Sequence, residues 1–189
     1  MSKYTLIVPI AADTDKMGTE MPYLFGLDSN GLMYCVKSIM GLPLEAFSDI
    51  YFTILHKHNL RYKLLEMMQI QFERLGIAHK THVYELWEST SSQPETLYHT
   101  VVGNHITGAV LFKDGDSYFT TEVYPENMLY IFPLDGLQVV NPQNKSYVTI
   151  DEQYYITNII EKKIVSRFFC AGGYSIEDVQ DFVLEYEKL

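Results

Sequence analysis

Apolar residues along this chain follow two periods in turn, and the alternation sketches a fold. Tyr4 to Pro9 is short, apolar and β-branched and ends at a proline ahead of a polar loop, which predicts a buried strand. After Gly31, Leu32, Val36, Ile39 and Met40 fall three and four apart, one face of a short helix stopping at Gly41. "DIYFTIL", Asp49 to Leu55, predicts a second strand. A helix follows from about Asn59, which can cap it, to Leu75 before Gly76. Its inward face is Leu60, Leu64, Met67, Met68, Gln71, Phe72 and Leu75. "HVYELW" reads as a third strand, Pro94 to about Val102 as a third helix opened by proline, and "ITGAVLF" as a fourth strand. Strands alternating with helices at this spacing imply right-handed crossovers and an α/β fold, a mostly parallel sheet between two layers of helices.

Beyond Phe112 the period shortens. Turn signals at "KDGD", "YPEN" and "NPQNK" separate strand-like runs at "MLYIF", "SYVTI" and "YYITNII", which adds antiparallel or mixed sheet to the parallel core. "AGGY" breaks the chain before a last helix, its glycines taking positive φ. That helix has Ser175 as N-cap, Asp178 at its third position, and Ile176, Val179, Phe182, Val183 and Tyr186 facing inward. No repeat, low-complexity tract or linker interrupts the chain, so one domain is expected over 1–189.

Composition narrows the partners. A net charge of -10 argues against nucleic-acid or anionic-membrane binding, which needs accumulated basic surface. Small anionic ligands stay open, because local amides, lysines or a metal can hold them. Two cysteines, Cys35 and Cys170, are too few for a disulfide framework and suit a reduced cytoplasm. No apolar run reaches the roughly 18 residues of a membrane span, and the first residues lack the pattern of a signal peptide.

Candidate chemistry sits in a few short stretches. "KDGD" has two readings: a hairpin turn with Asp114 and Asp116 in solvent, or a strand end at a carboxyl edge, where two carboxylates would suit magnesium. In "HKH", His56 and His58 fall on one side of an extended segment, a zinc-compatible spacing without an evident third ligand. Gln93 to Thr96 open a helix whose free amides, with Gln93, can read a base edge.

Taken in order, these stretches resemble the sugar-phosphate nucleotidyltransferases, enzymes of the nucleotide-diphospho-sugar transferase fold (GT-A, Rossmann-like) that join a nucleoside triphosphate to a phosphate acceptor and release pyrophosphate. The family opens with an apolar strand, a glycine-rich loop with an arginine, and a proline-lysine pair. Here "LIVPIA" is the strand, Ala11 precedes the loop, and Ala12, Asp13 and Thr14 stand at the glycine-x-glycine positions. Asp15 takes the threonine position, Lys16 the arginine's and Met17 the apolar one; Pro22 matches, and Tyr23 replaces the lysine. "TSSQPETL" is similar to the nucleobase loop, keeping Gln93, Glu95 and Thr96. "LFKDGD" matches the strand ending in a magnesium-binding aspartate, with Asp116 first and Asp114 second as ligands. "EKK" and "AGGY" match the acceptor segment through Glu161, Lys162, Ala171, Gly172 and Tyr174.

The resemblance implies a nucleotide-binding half over 1–112 and an acceptor-side half over 113–189. It implies a nucleoside triphosphate, pyrimidine favoured, a sugar phosphate or similar acceptor, a Mg2+ ion, Lys16 as the catalytic cation, and work in capsule or lipopolysaccharide assembly. Two departures weigh against full activity: the loop without glycines and with Tyr23, and the family's second metal aspartate, which lies further on than Leu189. Weak transfer, binding without turnover, and a purely interacting subunit are the readings these residues leave open.

Overall fold

The computed structural model describes residues 4–12, 21–135 and 142–189. A strand buried on both faces reads as a nearly continuous apolar run, and β1 (Tyr4–Pro9) does so apart from the buried Thr5: Leu6 and Val8 enter one core while Ile7 enters the opposite one. The same alternation recurs in β4 (Ala109–Lys113), where Ala109 and Leu111 share the first core and Val110 and Phe112 the second. β2 (Asp49–Leu55) and β3 (Thr81–Leu86) complete a parallel half, with β1 bonded in register to both β2 and β4. The antiparallel half is β5 (Met128–Pro133), β6 (Ser146–Ile150), β7 (Ile156–Glu161) and β8 (Phe168–Ile176). One mixed sheet results, in the order β3-β2-β1-β4-β8-β6-β7, with β5 also paired to β8.

Helices cover both faces. On one side lie α1 (Tyr34–Lys37), α2 (His56–Tyr62) and α3 (Leu64–Arg74), which sinks Leu64, Met68 and Phe72 into the first core. Phe72 stacks on Phe52 at 5.3 Å between centroids, and each such burial is worth about 2 kcal/mol. On the other side α4 (Gln93–Gly103) and α5 (Val179–Tyr186) supply Leu97, Val101, Val179 and Val183 to the second core. The three-layer α/β expectation is met, and no helix among the described residues is long and apolar enough to cross a membrane.

Several local expectations are corrected. The helix expected from Asn59 to Leu75 is two helices, because Lys63 takes left-handed dihedrals (φ 53°, ψ 45°) between them. Asn59 lies inside α2, where its backbone oxygen accepts from Lys63 and its Oδ1 accepts from the Leu65 amide, serving the start of α3 across the break. Leu60 consequently points outward at 70% exposure, and Met40 is exposed as well. Because α2 begins at His56, the two histidines of "HKH" fall on opposite sides of a helix. His58 is buried edge-on to Phe25, and His56 turns to Glu85 and Trp87, so the shared-side zinc reading fails.

The final strand also runs longer than its sequence suggests. β8 carries "AGGY" through without a break, and only Gly172 has positive φ (85°), beside the register slip between Tyr130 and Ile131 of β5. Gly173 stays extended; a Cβ there would meet the rings of Phe119 and Tyr130 at 2.9 Å. Ser175 is still in the strand, buried and bonded to Tyr4 Oη (3.0 Å) and to the Tyr124 carbonyl (2.9 Å). The N-cap of α5 is Asp178, whose Oδ1 accepts from the Gln180 amide at 3.0 Å.

Candidate functional site

In a parallel sheet the carboxyl ends of the strands form a common edge, and neighbouring loops open a crevice there. Here the ends of β1, β3 and β4 frame a cleft of about 730 Å³. Pro9 to Ala12 and Pro22 to Phe25 line one wall, Ser89 to Gln93 and Thr96 a second, and Asp114 to Asp116 a third. Asp-Gly therefore makes no hairpin: β4 runs parallel to β1 and antiparallel to β8, and the Asp114 amide donates to the Gly172 carbonyl at 2.8 Å.

The second wall is built by capping. Ser92 is the N-cap of α4, its Oγ accepting from the Glu95 amide at 3.3 Å. Glu95 folds back to accept from the Ser91 amide and hydroxyl, and these bonds hold its carboxyl below the ordinary range. It secures the loop and does not line the cleft. Thr96 bonds the Thr90 hydroxyl at 2.6 Å, fixing loop to helix. Gln93 faces across the opening, where its Nε2 donates to Asp114 Oδ1 at 2.6 Å.

The third wall concentrates charge. Burial raises the Asp114 carboxyl above its usual range, and repulsion from Asp116 adds to the rise while the bond from Gln93 opposes it. Beneath the loop Lys113 is fully buried. Its Nζ donates to the carbonyls of Asp114 and Ser117 and to Ser117 Oγ, and it stands 4.6 Å over the Phe119 ring. Burial pulls its ammonium down to about 8 although the two aspartates oppose that fall. Tyr23 reaches in from the first wall and donates its hydroxyl to Asp116 Oδ2 at 3.2 Å. A lysine beside Asp-Gly reads as a solvent lysine, so no sequence signal exposes its tethering role.

The expected residues divide into four groups. Ala11, Ala12, Gln93, Thr96, Asp114 and Asp116 meet at the cleft, with Glu95 behind its rim. Asp13, Thr14 and Lys16 lie outside the described residues. Gly172 and Tyr174 sit in β8, Gly172 against the Asp114 carboxylate and Tyr174 with its hydroxyl raised above its usual range chiefly by burial. Glu161 and Lys162 are exposed, paired to one another at 2.8 Å, and away from the cleft lining.

Among the described residues no group of three or more His, Cys, Asp or Glu is arranged around a common metal position. The donor chemistry still fits magnesium: two carboxylates share one wall, and Mg2+ characteristically takes one or two protein carboxylates and completes its shell with water and phosphate oxygens.

No family model and no curated protein matches this sequence. Solved structures do match. A nucleoside-diphosphate-sugar pyrophosphorylase from Vibrio cholerae RC9 superposes with a TM-score of 0.74 at 18% identity, over 97% of this chain and 77% of its own. The inositol-1-phosphate CTP transferase of T. maritima gives 0.70 at 12% identity, covering 99% and 75%. A UDP-glucose pyrophosphorylase complexed with UDP-glucose gives 0.67 at 13% identity, covering 100% and 80%. The chain shares the nucleotidyltransferase fold with these proteins at a divergent sequence.

Proposed function

We propose that the cleft binds a nucleoside triphosphate, pyrimidine favoured, and that the protein transfers its nucleoside monophosphate to a sugar phosphate or similar acceptor. The observation that supports this best is the convergence of the β1 end, the α4 start and the Asp114–Asp116 loop on one opening. In this reading the amides at the start of α4 and Gln93 take the base edge, and the loop after Ala11 and Ala12, with Asp13, Thr14 and Lys16, follows the phosphates. Asp114 and Asp116 hold Mg2+, while Glu161, Lys162, Gly172 and Tyr174 belong to the acceptor side.

An acceptor phosphate oxygen attacks the α-phosphorus, the bond to the bridging α–β oxygen breaks, and pyrophosphate leaves with that electron pair. No proton need move to a side chain, so the residues act by positioning and charge neutralisation. Magnesium, when bound, offsets charge on the phosphates and on the leaving pyrophosphate. Lys113 holds the aspartate loop from below, and Lys16 is the cation assigned to the triphosphate. The product would feed surface polysaccharide assembly in the cytoplasm.

A second reading, nucleotide or sugar-nucleotide binding without turnover, is favoured by one specific contact. Tyr23, at the family's lysine position, brings no charge and occupies an oxygen of Asp116. Magnesium-dependent pyrophosphate release, measured with each nucleoside triphosphate against a panel of sugar phosphates and choline phosphate, separates the two. Release supports transfer. Silence with a nucleotide-induced rise in melting temperature selects binding alone, and silence with no thermal shift overturns both.

A further inference from the structure

β7 is the outer strand of its half of the sheet, paired to β6 and, among the described residues, to no strand on its other side. Lys162 N donates to the Lys145 carbonyl, which sets the alternation: Ile160 and Asn158 bond toward β6, and the backbone groups of Ile159 and Glu161 turn outward. Such an edge is a template for another strand unless proline, inward charge or a bulge guards it. The strand "ITNIIE" has no proline and no lysine, and the register slip in its pairing lies at the turn end, opposite Ile150. Its surroundings are apolar for a surface, with Tyr154 at 79%, Tyr155 at 70%, Ile159 at 50% and Ile164 at 55% exposure.

The distribution of charge says what pairs there. Asp151 and Glu152 stand exposed at the turn before β7, and Lys162 and Lys163 stand exposed just past its other end. In an antiparallel pair related by a two-fold axis, each end of one strand meets the opposite end of its partner, so acid faces base twice. For a chain of net charge -10, close approach of two copies is otherwise repulsive, and this hairpin carries its own relief.

We propose that β7 is a self-association edge, at which two copies of this chain pair antiparallel with each Asp151–Glu152 turn set against the other's Lys162–Lys163 end. The pairing buries Ile159 near the axis and covers the exposed tyrosines of the turn. It shares Lys162 with the acceptor side of the proposed function, and it rests on the strand edge and its charges whatever the cleft binds.

Sedimentation velocity of the full chain from micromolar to sub-millimolar concentration tests it. A monomer–dimer equilibrium is expected, weakening as salt rises. Ile159→Lys places like charges across the axis and is expected to raise the dimer dissociation constant at least about tenfold. Lys162→Glu with Lys163→Glu, and separately Asp151→Lys with Glu152→Lys, are each expected to weaken self-association, and the two variants mixed are expected to recover a heterodimer. All these positions are exposed, and circular dichroism checks that folding is retained; because Asp151 Oδ1 also accepts from the Gln153 and Tyr155 amides of the turn, Glu152→Lys alone is measured beside the double change. A wild-type monomer throughout the range overturns the proposal. A dimer indifferent to Ile159→Lys overturns this edge, and swapped variants that fail to recover one another overturn the antiparallel charge match.

Discussion

Gly172→Ala isolates what β8 does for the cleft. A Cβ at Gly172 would stand 2.5 Å from Asp114 Oδ2 and 2.8 Å from both Asp114 Cγ and Ser117 Oγ, on a backbone with φ of +85°. The left-handed conformation alone costs an alanine about 1–2 kcal/mol. Relieving the clash swings the Asp114 carboxylate away and breaks its 2.6 Å bond from Gln93, a charged but partly solvated contact worth a further 1 kcal/mol or so. The sum is roughly 2–3 kcal/mol, which for a domain of this size lowers the melting temperature by about 4–12 °C. Gly31 supplies the control, having φ of +74° and no atom within 4 Å of an added Cβ. Gly31→Ala therefore reports the backbone cost alone, about 1–2 kcal/mol. Differential scanning fluorimetry of both variants, and of Gly172→Ala combined with Asp114→Ala, completes the comparison. Measured against Asp114→Ala alone, which has already lost the bond from Gln93, the double variant should show the backbone cost of the alanine and its remaining contact with Ser117 Oγ. If Gly172→Ala melts no lower than Gly31→Ala, the contact between β8 and Asp114 carries no energy and the reasoning is refuted.

Other outcomes follow from contacts already described. Lys113→Met keeps volume but leaves the Asp114 and Ser117 acceptors unpaired, and urea denaturation should show a loss of about 1–3 kcal/mol. Tyr23→Phe releases Asp116 Oδ2, and Mn2+ titration followed by electron paramagnetic resonance should show affinity tightened about fivefold. Asp28 accepts from Lys37 Nζ and from the Asn30 and Leu32 amides, contacts that lower its carboxyl from 3.8 to about 2. The folded state therefore binds fewer protons there than the unfolded one, so this stabilisation is complete above the unfolded value and is lost as pH falls through about 2. Acid unfolding monitored by circular dichroism should accordingly be less steep between those limits in Asp28→Asn.

Much of the fold was legible because its strongest signals are periodic. Continuous apolar runs marked the two-sided strands, and residues spaced three and four apart marked the inward faces of α3 and α5. Local punctuation misled where distant partners outweighed it. Nothing in "NLRYKLLEM" announces a break, yet burying His58 in α2 and Leu64 in α3 is met by a left-handed lysine between them. Ser175 looks like a cap, but its hydroxyl is used by Tyr4 and Tyr124, so the strand continues and Asp178 caps instead. The cleft was readable as an order of loops. Its inner chemistry was not: the bond between Tyr23 and Asp116 joins positions that meet only once the sheet has formed, and the Lys113 tether, though local in sequence, follows from a burial that the sheet imposes.

That sheet is closed by strands from opposite ends of the chain. Tyr4 in β1 and Ser175 in β8 share a hydrogen bond across 171 positions of sequence, and β4 meets β8 across 60 to 66. Loop-closure entropy must be met before such pairs form, so β8 is expected to dock after the parallel strands and to complete the β4 edge. Until then the Asp114 loop lacks the Gly172 carbonyl that receives its amide, and the cleft matures only with the final strand. In pulse-labelled hydrogen exchange, the Asp114 amide should gain protection with β8 and not with β1.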